Sequence, residues 1–212
     1  AENLNLFNLI SGDKFIMSFR PTASGDASVS VYLNIGSGAQ PRLLTASPEI
    51  VPVLPTTVDV SKCTVSLPSS VVAGSTQSMT MSISASDAYS NRVTSEKTAS
   101  SFHAKIVRYN HNDGGANDHP ILSARHDVSS GTYILEFPRI VVAGVVVVTV
   151  GHGAQRDAIA VPFFEGHVSV TPTDVNSTTS TLECPEEAVV GGQIECRVRL
   201  RDSYSNIVPT TA

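Results

Sequence analysis

The residues best suited to chemistry lie in one polar segment, residues 110–119, with the sequence NHNDGGANDH. His111, Asp113, Asp118 and His119 carry imidazole or carboxylate groups, which bind divalent metal ions in proteins. A calcium loop needs acidic groups at alternate positions and a closing glutamate, and a zinc-binding helix needs two suitably spaced histidines. Neither spacing occurs here. We therefore expect a solvated loop between two strands and predict no metal site.

Signatures of nucleophilic catalysis and of phosphate binding are missing from the sequence. No Gly-x-Ser-x-Gly segment occurs, and no glycine-rich phosphate loop precedes a helix. The formal net charge is -5, so the chain offers no basic field for a nucleic-acid backbone. We predict that the protein is not an enzyme, uses no cofactor and does not bind nucleic acid.

The composition indicates a β protein. Charged residues make up 16% of the chain, below the roughly 25% usual for soluble domains, and Ser, Thr and Val take up the difference. Branched side chains of this kind favour strands. The longest apolar run, residues 140–150, is interrupted by Gly144 and Thr149 and is far shorter than the ~20 residues that a spanning helix needs. We predict an all-β fold with no membrane span in this segment.

Two pairs of segments repeat within the chain. The sequence Asp87-Ala-Tyr-Ser-Asn91 matches Asp202-Ser-Tyr-Ser-Asn206, at a separation of 202 − 87 = 115 residues. The segment that ends at Phe19 matches the one that ends at Phe137, at 137 − 19 = 118 residues. Similar spacings from two different motifs predict one repeating unit of about 115 to 120 residues. The expected organisation is the C-terminal part of one repeat at 1–55, a complete repeat at 56–171 and the N-terminal part of the next at 172–212.

Period-two alternation predicts the strands of the complete repeat. In residues 78–85, for example, Met79, Met81 and Ile83 share one face while serines and a threonine occupy the other. Short strands at regular spacing with turn residues between them are typical of a β-sandwich. The predicted strands are A (62–67), B (78–85), C (102–109), D (121–127), E (132–137), F (145–151) and G (159–170).

The distributed motifs resemble the filamin-type immunoglobulin repeat. That family has a Gly-Thr-Tyr strand, an aromatic residue before a turn with glycine, an alternating valine strand and a Pro-Phe final strand. The corresponding residues here are Gly131-Thr-Tyr133, Phe137, Gly144, Val146, Val148, Val150 and Pro162-Phe163, with Phe19, Pro21 and Gly25 in the first repeat. The Asp-x-Tyr-x-Asn-x-Val element is also similar to invasin-type bacterial adhesin repeats. Both resemblances imply tandem immunoglobulin-like sandwiches in a longer chain with a structural or adhesive role.

Three cysteines bear on the compartment. Cys184 and Cys196 lie six residues either side of Val190, the centre of the turn between the third repeat's strands A and B. Two buried thiols and a disulfide both fit this placement, and we predict the disulfide, with Cys63 as a small core residue. Asn176-Ser-Thr178 is a glycosylation acceptor. The cysteine pair and the acceptor favour a cell-surface or secreted protein, and the alternative is an intracellular scaffold of the cytoskeleton or a cilium.

The filamin resemblance also implies a protein partner. Repeats of this family accept an extended strand of another chain beside strand C, by main-chain pairing with an exposed sheet edge. The alternative is that Lys105 and the polar loop 110–119 protect this edge from pairing. The residues implied for partner binding are Phe102, His103, Ala104, Lys105, Ile106 and Val107.

Overall fold

The structure, a computed structural model, describes residues 7–11, 14–33, 40–44, 47–99, 101–109, 116–118, 121–153 and 162–209. Over these residues the chain is all-β with several sheets, an arrangement compatible with a β-sandwich, and this confirms the predicted fold class at that level. The one α-helix among them is the single-turn α1 (Glu96–Ala99). No helix in the described ranges is both long and apolar enough to span a membrane.

The strands are short and follow one another closely. In chain order they are β1 (Phe7–Ser11), β2 (Lys14–Met17), β3 (Gly25–Val29), β4 (Tyr32–Leu33), β5 (Arg42–Leu43), β6 (Glu49–Val53), β7 (Thr64–Ser66), β8 (Ser70–Val72), β9 (Thr80–Ser84), β10 (Phe102–Tyr109), β11 (Ala116–Asp118), β12 (Leu122–Ser123), β13 (Arg125–Asp127), β14 (Thr132–Glu136), β15 (Gly144–His152), β16 (Pro162–Thr171), β17 (Thr181–Glu183) and β18 (Arg197–Arg199).

The chain divides into two compact units by its internal contacts. The first comprises Ala1–Asp59 and Ser86–Val93, and the second comprises Val60–Ala85 and Thr94–Ala212. Among its described residues the first unit contains three antiparallel strand pairs, β1 with β2, β3 with β6 and β4 with β5. The predicted repeat boundaries at 1–55, 56–171 and 172–212 remain a prediction.

Two sheets form the core of the second unit. One has the order β11-β10-β15-β16-β8, with β12 also paired to β10, and the other has the order β13-β14-β9-β7. The Phe102 ring from β10 lies 5.0 Å from the Tyr133 ring of β14, so the two sheets face each other. Alternate residues point inward because side chains alternate along a strand. The side chains buried in this way include Met81, Ile83, Tyr133, Leu135, Phe102, Ile106, Val148, Val150 and Val168.

The predicted strand D is wrong as a single element. It consists of β12, which pairs with β10, and β13, which pairs with β14. The chain changes sheet at Ala124, a small residue that is 8% exposed and whose N–H donates to the carbonyl of Phe102 at 3.0 Å. Alternation continues through such a crossing, so the sequence pattern does not reveal it.

The edge at strand C, which the filamin resemblance implies for partner binding, is paired on both sides in the structure. On one side β10 pairs with β15 along its whole length. On the other side His103 pairs with Ser123, Ala104 with Leu122 and Val107 with Asp118, so the returning chain occupies the positions that an incoming peptide would need. The residues concerned are Phe102, His103, Ala104, Lys105, Ile106 and Val107, of which Phe102 and Ala104 are fully buried in the core.

Candidate functional site: the Asp-x-Tyr-x-Asn loop

The repeated Asp-x-Tyr-x-Asn segment forms a closed loop whose conformation is the same at both positions. In the second copy the Asp202 N–H donates to the Asn206 carbonyl and the Ser205 N–H donates to the Asp202 carbonyl, both at 3.0 Å. The corresponding bonds of the first copy, from Asp87 and Ser90, are both 2.9 Å. Ser205 and Ser90 have φ of 65° and 66°, a conformation that non-glycine residues seldom adopt. We call residues 87–91 and 202–206 the Asp–Asn loops.

The aspartate of the second loop organises the chain around it. Asp202 is fully buried. Its Oδ1 accepts the N–H groups of Tyr204 and Asn206, both at 2.9 Å. Its Oδ2 accepts the N–H of Thr173 at 3.0 Å and Nδ2 of Asn206 at 2.9 Å. One carboxylate therefore joins its own loop to the segment that contains Thr173, which lies 29 residues earlier in the sequence.

The first loop repeats this arrangement within the first unit. Asp87 is also fully buried. Its Oδ1 accepts the N–H groups of Tyr89 at 3.0 Å and Asn91 at 2.8 Å. Its Oδ2 accepts the N–H of Thr56 at 2.9 Å and Nδ2 of Asn91 at 3.1 Å. Thr56 thus has the role that Thr173 has in the second unit.

The asparagine at the end of each loop binds a turn that lies far away in sequence. Asn206 Nδ2 donates to the Val141 carbonyl, and its Oδ1 accepts the Ala143 N–H, both at 2.8 Å. Val141 and Ala143 lie between β14 and β15, in residues 138–143, which we call the receiving turn. In the first unit Asn91 makes the same two bonds, to the Thr22 carbonyl at 2.9 Å and from the Ser24 N–H at 2.8 Å. Residues 20–24, just before β3, are the receiving turn of that unit.

The tyrosine of the second loop lies against a glycine turn. Tyr204 covers Gly74, in the turn between β8 and β9, and a Cβ at Gly74 would overlap the tyrosine ring. The Gly74 N–H donates to the Ile140 carbonyl at 2.6 Å, and Arg139 Nε donates to the Gly74 carbonyl at 2.8 Å. The Arg139 guanidinium also bonds the Tyr204 hydroxyl and lies 5.4 Å from the ring centre. The receiving turn and the glycine turn therefore form one surface under the loop.

The hydrogen bonds keep both loop aspartates ionised. Burial opposes the charge, but the N–H of Thr56 and the side chain and N–H of Asn91 outweigh it and lower the pKa of Asp87 to about 2. In the same way burial disfavours the Asp202 carboxylate, while Asn206 and the Thr173 N–H hold its pKa below the usual value. The loops consequently require the charged form of the aspartate.

Because the loops require the charged aspartate, we predict that the free energy of unfolding falls at low pH. The folded pKa of Asp87 is lower than its ordinary value of 3.8. Its contribution to the free energy of unfolding is therefore present above about pH 4 and is lost as the pH falls towards 2. We expect the wild type to be more resistant to urea than Asp87→Asn at pH 6 and the difference between them to shrink by pH 2. Urea titrations across this range measure it, and a difference that does not vary with pH would contradict the role of the carboxylate.

The two predicted modification sites lie in residues 172–212, within the second unit. Cys184 and Cys196 form a disulfide with a Cα–Cα distance of 4.3 Å, which confirms the predicted bond and closes the β17–β18 hairpin. Cys63 is a thiol of intermediate burial. Asn176 is partly exposed, and its Oδ1 accepts the N–H of Thr178 at 2.8 Å and the hydroxyl of that residue at 2.6 Å. Glycosylation of Asn176 remains a prediction.

The polar loop considered for metal binding is largely outside the described residues. These exclude His111, Asp113 and His119, and for Asp118 they give only the backbone of β11. Within the described ranges no three or more His, Cys, Asp or Glu side chains gather as a metal site would require.

The sequence indicated the loops but not what they bind. Short polar side chains such as those of Asp87 and Asn91 commonly bond nearby backbone groups, whereas Asn91 reaches a turn about seventy residues earlier in the sequence, at Thr22. A usable signal was present, because Pro55-Thr56 and Pro172-Thr173 are also repeated, at 173 − 56 = 117 residues. Three repeated features at spacings of 115 to 118 residues indicate parts of one structural unit.

Comparisons with known proteins add no assignment. No protein-family model matches this chain, and no match to it was found among curated proteins. Any functional interpretation therefore depends on the loops and their contacts.

Proposed function

We propose that this chain is a spacer segment of tandem filamin-type immunoglobulin-like repeats, in which each Asp–Asn loop attaches its repeat to the preceding one. The observation that supports the proposal most directly is that the same bonds occur twice. In both units an aspartate binds the entering chain at a threonine N–H, and an asparagine binds a receiving turn through both atoms of its amide.

The chemistry of these bonds suits a repeated attachment. On the receiving turn the asparagine contacts only main-chain groups, the carbonyl of Val141 and the N–H of Ala143. Main-chain recognition lets the side chains of the turn vary between repeats without loss of the contact. A buried carboxylate that accepts four donors also fixes the loop geometry, because an unsatisfied buried donor is costly. Such an attachment restricts how one repeat can rotate on the next.

The cysteine pair and the acceptor at Asn176 support placing the protein outside the cell, as an adhesive or cell-surface component. Disulfides persist in oxidising compartments and are rare in the cytosol. The alternative is an intracellular cytoskeletal or ciliary scaffold with the same repeats. In that case Cys184 and Cys196 would be reduced in the native protein, and Asn176 would carry no glycan. In either location the partners of the loops are other protein segments of the same kind.

The attachment can be tested by measuring how tightly the third repeat is held to the central one. Spin labels on unnatural amino acids at Val128 and Leu182, which are 85% and 67% exposed, avoid the cysteines. We expect a narrow distance distribution by pulsed electron paramagnetic resonance in the wild type. Asn206→Ala removes both bonds to the receiving turn and should broaden it.

The matched control is Ser203→Ala, an exposed position of the same loop. This variant should give the wild-type distribution. A distribution equally narrow in Asn206→Ala would mean that the loop does not hold the repeats together.

A further inference from the structure

The contact between Tyr204 and Gly74 depends on the backbone conformation of the glycine turn. The turn is closed by a bond from the Ser75 N–H to the Val72 carbonyl at 3.2 Å, which makes Gly74 its third residue. Gly74 has φ of +69°, as that position requires in a type II turn. Because Gly74 has no side chain, the Tyr204 ring lies directly against the backbone. Gly74 therefore serves both the turn and the contact.

The third repeat has a second turn of the same construction. The Gly192 N–H donates to the Val189 carbonyl at 2.9 Å, so Gly191 is the third residue, and its φ is +80°. Gly191 follows Pro185 by six residues, as Gly74 follows Pro68. The two glycines are thus equivalent positions of successive repeats, at 191 − 74 = 117 residues, the spacing of the two Pro-Thr pairs.

The two turns differ in what covers them. Tyr204 buries Gly74, whereas a Cβ built on Gly191 would meet no described atom within 4 Å. Val189 and Val190 beside it are 83% and 103% exposed. The Gly191 turn therefore has the same construction as the glycine turn that Tyr204 covers, but among the described residues no side chain covers it.

The first unit contains the other half of such a contact, an exposed tyrosine and an exposed arginine. Tyr89 occupies the position in its loop that Tyr204 has in the other, and it is 46% exposed. Arg20 is the counterpart of Arg139, at 139 − 20 = 119 residues, and it is exposed on the receiving turn of that unit. A tyrosine and an arginine of this kind close over a glycine turn in the second unit.

We infer that the Gly191 turn is a binding site for the tyrosine of an Asp–Asn loop from a further repeat of the same kind. This inference rests on the proposed function and adds the chemical determinant of the contact, a tyrosine ring on a glycine of positive φ. Tyr89 with Arg20 is the matching half, which fits the glycine turn of another repeat. Each repeat thus carries a tyrosine loop for one neighbour and a glycine turn for the other.

The test uses the intact chain and a peptide with the sequence of residues 200–209, LRDSYSNIVP. Arg201 and Ile207 pair across the loop, so Arg201→Cys and Ile207→Cys in the peptide allow a disulfide to fix its conformation. We expect the peptide to cause saturable shifts of the Val190, Gly191 and Gly192 amide signals in nuclear magnetic resonance spectra, with a Kd on the order of 1 mM. The glycine turn is only part of the full contact, so the affinity should be modest.

Two controls make the result specific. The same peptide with Tyr204→Ala should cause no saturable shift at these amides, and the chain with Gly191→Val should not respond to the tyrosine peptide. Equal shifts from both peptides, or none at peptide concentrations tenfold above the expected Kd, would overturn the inference. The label distances of Asn206→Ala report the existing contact independently, so the proposed function can hold when this inference fails.

Discussion

Replacing Asp202 with alanine is expected to lower the free energy that holds the loop of residues 202–206 on the segment around Thr173 by about 2 kcal/mol. The variant leaves the N–H groups of Thr173, Tyr204 and Asn206 without their acceptor, together with the Asn206 amide. An unsatisfied buried donor costs about 1–3 kcal/mol, and water entering the emptied site relieves part of the sum. The direct measurement is hydrogen exchange at those three backbone amides, which should accelerate roughly 30-fold, since 1.4 kcal/mol corresponds to a factor of ten.

Asp174→Ala is the matched control for this experiment. Asp174 lies next to Thr173 in sequence, but it is exposed. Removing its carboxylate should leave the three amides as protected as in the wild type. If the two variants exchange at the same rate, the Asp202 carboxylate does not organise the loop.

Removing the disulfide is expected to have a comparable effect at the β17–β18 hairpin. Cys184 and Cys196 are 12 residues apart and close the β17–β18 hairpin. Loss of a bond across a loop of this size costs on the order of 3 kcal/mol, mainly because the unfolded chain gains freedom. The variant with Cys184→Ser and Cys196→Ser should lose amide protection between Thr181 and Arg199, and urea should unfold this hairpin at lower concentration.

Cys63→Ser serves as the control because Cys63 lies outside the disulfide. The oxidation state can also be measured directly in native protein. The intact mass should rise by two hydrogens on reduction, and only one thiol should label in the unreduced, denatured chain. Labelling of all three thiols would contradict the disulfide and would favour the intracellular alternative.

The strands of the second unit were largely predictable because their side chains alternate over enough residues to give a pattern. The predicted strand C, 102–109, has the same bounds as β10, and predicted strands E, F and G differ from β14, β15 and β16 by a few residues at most. The three-residue β8 escaped prediction because it is too short to show a period. The sheet change at Ala124 escaped because alternation does not depend on which strand is the neighbour.

The difference between local bonds and contacts of residues distant in sequence explains what was predictable about the Asp–Asn loops. The bonds inside the loop are local, so a short aspartate near a strand end is enough to expect them. The contact of Asn206 with Val141 joins residues 206 − 141 = 65 positions apart and exists only once strands have brought them together. Side-chain identity at the receiving turn carries no signal, because the asparagine binds the main chain. The sequence left open whether the edge at strand C is free for the same reason, because only the folded chain brings β11 and β12 against that edge.

The parallel pairing of β8 with β16 determines how the predicted complete repeat, residues 56–171, would respond to stretching. Ser70, Val71 and Val72 pair in register with Ser169, Val170 and Thr171, the last of which lies at the predicted C-terminal end of the repeat. When the two ends are pulled apart, parallel neighbours are displaced along their length, so their hydrogen bonds bear the load together and do not open one at a time. The Thr171 hydroxyl and the Ala73 N–H add two bonds between the same segments. In a chain of such repeats, each parallel strand pair would therefore resist tension through hydrogen bonds that are sheared together.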